Sequence, residues 1–201
     1  MDHVNFSVEM YRLKRLRKRT KILICIATIV MIFIAFFYGC WVDFQAYYLG
    51  IMKNLNSSET KTYMLDKING TYNFTELLNW TGQHLNWSEE NFVRYSNPQQ
   101  ILDQGKGRCE EFAIVYVSAC LALGYEARIV VARQFYLGLV RGFHAWAEVK
   151  WNGVWTQADP SPTPFWNDTS RYKSWPWEPR ATLVVSAFED NRIEDVSARY
   201  R

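Results

Sequence analysis

Three side chains scattered through the 201-residue sequence have the types needed for nucleophilic attack on an amide: Cys109, His144 and Asp159. A thiolate can attack a carbonyl, an imidazole can take and return the proton, and a carboxylate can hold the imidazole in orientation. Cys109 follows Gly105-Lys106-Gly107 and stands at the start of RCEEFAIVYVSACLAL, residues 108–123. That stretch is rich in helix formers, carries Glu110 and Glu111 where a first turn favours acids, and meets Gly124 where a C-terminal cap belongs. A helix is predicted there. At its first turn, free backbone N–H groups and the positive end of the dipole favour a thiolate, and the Cys109 N–H becomes a candidate oxyanion donor. Trp80 and Gln83 lie in the segment able to supply a second donor.

His144 and Asp159 are brought into register by a turn. Asn152-Gly153 is the preferred pair for a type I′ hairpin, with Trp151 opposite Val154, an alternating arm Phe143–Trp151 before it and a second arm from Val154 to about Asp159. Counting outward, Trp146 falls opposite Asp159 and His144 opposite Ser161. Asp159 is then the diagonal neighbour of His144, about 7–8 Å away between backbones, a gap that a carboxylate and an imidazole can close. Phe143, Ala145, Ala147, Val149 and Trp151 read as the core face. His144, Trp146, Glu148 and Lys150 read as the less apolar one.

The same residues have plainer readings. Spacing alone leaves Cys109 open as a small buried hydrophobe, and Asp159 before Pro160 open as a strand end or turn cap. Cys120 reads as buried and structural: eleven positions along the helix, it stands about 16 Å from Cys109, too far for a disulfide. His84 reads as a surface or rim residue and His3 as part of the N-terminal tail, which leaves His144 as the base. No close Cys or His pair starts a zinc site, so neither metal nor cofactor is expected.

The elements around these residues are less sharply drawn. Residues 43–72 show no sustained period and suit a juxtamembrane linker, helical near Tyr63–Ile68. Phe74, Leu77, Leu78, Leu85, Phe92 and Val93 favour one or two helices, and Pro98–Leu102 a short helical turn. A strand is expected at Ala127–Arg133, a loop around Gly138 and Gly142, and a last strand at Thr182–Phe188. The Pro- and Trp-rich stretch from Pro160 to Pro179 reads as a long loop.

From Ile22 to Val42 the chain carries no charge for 21 residues, enough to cross a bilayer as a helix. The apolar run is too long for a signal peptide and no small-x-small cleavage site follows it. Bulky residues before Cys40 argue against a lipoprotein site. Seven of the ten residues from Arg12 to Lys21 are basic, which by the positive-inside rule keeps residues 1–21 cytoplasmic and everything after Asp43 outside. The formal net charge of +3 owes much to that run; the remainder is slightly acidic, so nucleic acid is not expected as a partner. Asn56, Asn69, Asn73, Asn79, Asn86 and Asn167 each open an Asn-X-Ser/Thr acceptor, which fits an external, glycosylated domain over residues 73–201.

The segments GRCEEFA at 107–113, HAWAEV at 144–149 and Trp155 through Asp159-Pro160-Ser161, with LGYEAR at 123–128 between helix and sheet, resemble the motifs of the transglutaminase-like superfamily. They are especially similar to the core of peptide:N-glycanases and of microbial transglutaminase-like cysteine proteases. The resemblance covers about residues 75 to 165. It implies an α+β, papain-like fold with the cysteine-bearing helix packed on an antiparallel sheet, a Cys109/His144/Asp159 triad, and acyl transfer from an amide through a thioester. A hydrolase acting on peptide, protein or glycopeptide amides is expected first. A transferase cross-linking surface proteins and a non-catalytic surface module are the alternatives.

Overall fold

The computed structural model describes residues 2–70, 72–89, 94–136, 139–162, 165–166 and 182–200. The chain forms two compact units, Met1–Gln45 and Ala46–Arg201. The first is the N-terminal part of helix α1 (Asp2–Leu55). Between Thr20 and Leu55 this helix is long and apolar enough to cross a membrane. Its side chains from Ile22 to Phe37 are exposed, unlike those of a core helix.

The second unit begins inside α1. Tyr48, Ile51, Met52 and Leu55 are buried, and helix α2 (Ser58–Ile68) turns Thr60, Met64 and Ile68 inward. Ser57 caps α2 by accepting from the Thr60 N–H at 3.2 Å, and Asn69 closes it in the left-handed conformation at φ 41°. The end of α1 from Ala46 and the whole of α2, within the stretch 43–72, belong to this unit. The physical reason is a narrow stripe at four-residue spacing that buries one turn after another. Helix α3 (Glu76–His84) follows, then a two-residue strand β1 (Asn86–Trp87) and helix α4 (Pro98–Gln104). Asn97 caps α4 and Pro98 occupies its first turn, where a missing N–H costs nothing.

Strand β2 (Lys106–Gly107) pairs in parallel with β1 and leads into α5 (Cys109–Ala122), buried along most of its length. The rest is one antiparallel sheet of β3 (Ala127–Tyr136), β4 (Leu139–Trp151), β5 (Val154–Asp159), β6 (Phe165–Trp166), β7 (Thr182–Phe188) and β8 (Ile193–Asp195). Its spatial order is β6-β5-β4-β3-β7-β8. The architecture is α+β, with α5 packed on β4 and β3. The β4–β5 hairpin has the expected register, Trp151 opposite Val154, across a turn with Asn152 at φ 50° and Gly153 at φ 79°. Gly142, expected in a loop, instead lies in β4 opposite Gln134, next to a bulge where the register shifts between Gln134 and Phe135. Gly138 and most of the Pro160–Pro179 stretch lie outside the described residues.

Both faces of the sheet are closed. Ile129, Val131, Ala145, Ala147 and Val149 alternate with Val130, Ala132, His144, Trp146 and Glu148, and all ten are buried. The face expected to be the wetter one is covered by Val196 and Tyr200, which pack with Val130, Trp146, Val185 and Ala187. The strand ends depart from expectation the other way. Phe143 and Trp151, read as core, are exposed, and Trp151 packs its ring 4.8 Å from Phe74.

Candidate active site

The loop before α5 is tightly built. Gly105 takes φ 68° and ends α4, so that Lys106-Gly107 can run beside Asn86-Trp87. Asn86 N–H donates to the Gly105 carbonyl at 2.9 Å and Ser88 N–H to the Gly107 carbonyl at 3.1 Å. Arg108 is the N-cap residue of α5: its N–H donates to Glu111 Oε2 at 2.9 Å, and its guanidinium donates to the carbonyls of Ser88 and Glu89 at 3.2 and 2.6 Å. Gly107 leaves room for Glu111, since a Cβ at 107 would lie 2.5 Å from Glu111 Cβ. Cys109 is thus fixed as the first helical residue, where its backbone N–H has no intrahelical acceptor.

The sheet brings the other two residues in. His144 Nε2–H donates to Asp159 Oδ2 at 2.7 Å, and Asp159 Oδ1 accepts from the Ser161 N–H at 2.9 Å. The acid therefore does two jobs, capping the turn at the end of β5 and orienting the ring. With Nε2 taken, Nδ1 is the nitrogen left to face the Cys109 thiol, with which His144 is in hydrogen-bond contact. Burial alone would lower the imidazole pKa. The bonds and charges of Asp159 and Cys109 outweigh it and raise the value from 6.5 to about 9. That direction favours the charged form of the ring.

Around these residues, the His144 ring lies 5.8 Å from that of Trp146 at 23°, and Trp146 packs edge-on against Tyr200 at 5.0 Å. Tyr200 Oη donates to Glu148 Oε1 at 2.6 Å, and Glu148 pairs with buried Arg128 at 2.6 Å. Arg128 also reaches Glu189 and Glu194, each at 2.7 Å. Next to the cysteine, Glu110 is buried beside Arg94, at 3.4 Å. Burial and the neighbouring Glu111 raise its carboxyl above the ordinary range, against the lowering effect of Tyr47, Arg94 and Tyr48.

The other residues singled out in the sequence lie on α3, on α5 and at the acceptor asparagines. Trp80 is buried and stacks on His84 at 4.3 Å, while Gln83 and His84 are exposed on α3. Asn86–Ser88 also lies against the cysteine loop. Its signal in the sequence was too short to read, a two-residue parallel pairing across 20 positions. Cys120 is fully buried, and burial pushes its thiol up to about 12. Among the described residues no cluster of three or more His, Cys, Asp or Glu side chains is arranged to hold a metal ion. Asn69, Asn73, Asn79 and Asn86 are exposed. Asn56 is half-buried, its Nδ2 donating to the Met52 carbonyl at 3.2 Å, and Asn73 caps α3. Asn167 lies outside the described residues.

The family model of the transglutaminase-like superfamily matches residues 59–160, half of the chain. The chain belongs to the transglutaminase-like superfamily. The superfamily match takes in α2 and runs through Asp159, earlier at its start than the segment resembling it by motif. Peptide-N(4)-(N-acetyl-β-glucosaminyl)asparagine amidases are among the similar curated proteins. That of Drosophila melanogaster is 32% identical over 114 residues, covering 56% of this chain and 16% of the amidase. That of Oryza sativa subsp. japonica is 31% identical over 112 residues, covering 55% and 23%. The chain thus spans less than a quarter of the length of either relative. Among solved structures, a chain of the Rad4/XPC nucleotide excision repair complex aligns with a TM-score of 0.53 at 11% identity, over 80% of this chain and 48% of that one. At that identity the likeness is one of fold.

Proposed function

We propose that this transglutaminase-like protein is a thiol-dependent amide hydrolase with Cys109 as nucleophile, His144 as acid and base, and Asp159 as the residue that orients the ring. The observation that carries the reading is His144 held between the Asp159 carboxylate at 2.7 Å and the Cys109 thiol. Superfamily membership and the amidase relatives support a thiol-dependent hydrolase at the level of the family. In the proposed reaction the Cys109 sulfur adds to an amide carbonyl, with the Cys109 N–H donating to the oxyanion. Collapse expels the amine, which takes the proton from His144 Nδ1, and leaves a thioester. Water, giving a proton back to His144, then releases the acid and the thiolate. By analogy with the relatives' names, the side-chain amide of a glycosylated asparagine belongs among the substrates to be tried, beside peptide amides.

Residues 22–42 are proposed to span the membrane once, with the basic residues 1–21 cytoplasmic and the thiol outside. The exposure of Asn69, Asn73, Asn79 and Asn86 is compatible with glycosylation on that side. A thiol-directed probe applied to the full chain and to Cys109→Ala tests the chemistry. Label at Cys109 in the first and its loss in the second is expected, and equal labelling rejects the reading. Adding a labelled primary amine with candidate substrates separates hydrolysis from transfer, because accumulation of amine-linked product with little free acid would make the protein a transferase.

A further inference from the structure

Tyr47 and Tyr48 stand close to the end of the apolar stretch that closes at Val42, yet both belong to the folded unit Ala46–Arg201. Tyr48 is only 2% exposed and stacks on Phe188 at 4.8 Å. The hydroxyls of Tyr47 and Tyr48 lie against Glu110, the residue after Cys109, and Tyr48 is near enough to Cys109 to interact electrostatically with it. Tyr48 is therefore a fixed point of the folded unit, against the residue that follows the candidate nucleophile. The chain from Val42 to Tyr48 reaches at most about 20 Å when fully extended. That limit is covalent and holds at any angle between the span and the folded unit. Trp41 and the exposed Tyr47 are also of the residue types that gather at a membrane–water interface.

We infer that the Cys109 site is tethered close to the outer membrane surface, through a link that reaches at most about 20 Å from Val42 to Tyr48, and that its substrates are amides in the juxtamembrane segments of membrane-anchored polypeptides. The inference rests on the span and thiol proposed above and deepens them by naming where the substrate must stand. A partner held in the same bilayer meets the thiol at an effective concentration on the order of 1 mM, whereas a soluble peptide meets it only at its bulk level. The tether selects by height above the membrane before any side chain is recognised.

A proximity measurement on the full chain in lipid vesicles tests this. One probe is a haloacetamide joined to a phospholipid headgroup by a short oligo(ethylene glycol) spacer; the other is the same haloacetamide free in solution. Label at Cys109 is followed by mass spectrometry. Against about 10 μM soluble probe, the lipid-borne probe is expected to react about 100-fold faster. A variant with 30 helix-forming residues inserted after Asp43 lifts the domain by about 45 Å and should lose that advantage while reacting normally with the soluble probe. If the soluble probe labels Cys109 but the lipid-borne probe is no faster, or stays faster after the insertion, the tether inference is overturned and the thiol chemistry stands. If the soluble probe labels Cys109 no faster than buried Cys120, the proposed chemistry itself fails, and this inference with it.

Discussion

Burial opposes a charged His144, while the Asp159 carboxylate and the Cys109 sulfur favour it strongly enough to carry the imidazole pKa to about 9. Because the folded value lies above the unfolded 6.5, the stability this group contributes is fully present below about 6.5 and lost as pH rises through 9. Denaturant unfolding of the full protein across that window should show a decline on the order of 3 kcal/mol, and His144→Gln should flatten it. The same proton matters to the thiol chemistry. In Asp159→Asn the ring loses its anionic partner, so the upper pH limit of the imidazolium should fall by about one to three pH units. Titration of the His144 ring by NMR would read this directly, and an unchanged pKa would remove Asp159 from its proposed role. Hydrolytic activity, once a substrate is in hand, should fall by several orders of magnitude in Cys109→Ala, as the loss of a covalent nucleophile requires.

Gly107, in the loop that presents Cys109, and Gly82, in α3, are glycines of different kinds, and their neighbours predict opposite signs for the same substitution. Gly107→Ala would press a methyl into Glu111, whose carboxylate holds the Arg108 N–H, and should destabilise the fold by about 1–3 kcal/mol. Gly82→Ala, in α3 with nothing within 4 Å of the new methyl, should stabilise by about 0.5–1 kcal/mol. Thermal or chemical unfolding of the two variants side by side checks both. Elements of this kind were legible in the sequence where the information is local. The Asn152-Gly153 pair determined the β4–β5 register, and with it the approach of Asp159 to His144. Helix α5 and strand β7 were also legible from their own residues. Helix α2 was only half seen, because its buried stripe of Thr60, Met64 and Ile68 is one residue wide and sits among polar neighbours. The pairing of Asn86-Trp87 with Lys106-Gly107 was invisible, since two-residue strands carry no period.

At the scale of the molecule, the face of the sheet that carries His144 is held shut by charges distant in sequence. Arg128, on β3, joins Glu148 on β4 to Glu189 and to Glu194 on β8, and lies over the Trp155 ring at 4.0 Å. No local pattern announces such a network, which is why that face looked solvent-bound in the sequence. Removing one partner weakens the rest: Arg128→Met leaves buried Glu148 with the partly exposed Arg199, at 3.1 Å, as its remaining counter-charge and should cost about 3 kcal/mol, while adding Glu148→Leu should recover much of it. A double-mutant cycle by chemical denaturation measures the difference. The same closure bears on how the protein is made. Tyr200, whose ring backs Trp146 behind His144, is synthesised long after Cys109, which at about 5–20 residues per second means many seconds on the ribosome. Through that interval the nascent chain holds its cysteine without a settled base, so we expect chains stalled at Phe188 to alkylate at the rate of an ordinary thiol. On the proposed function, the thiol would then be harmless to the machinery that produces it and become reactive only when translation has passed Tyr200.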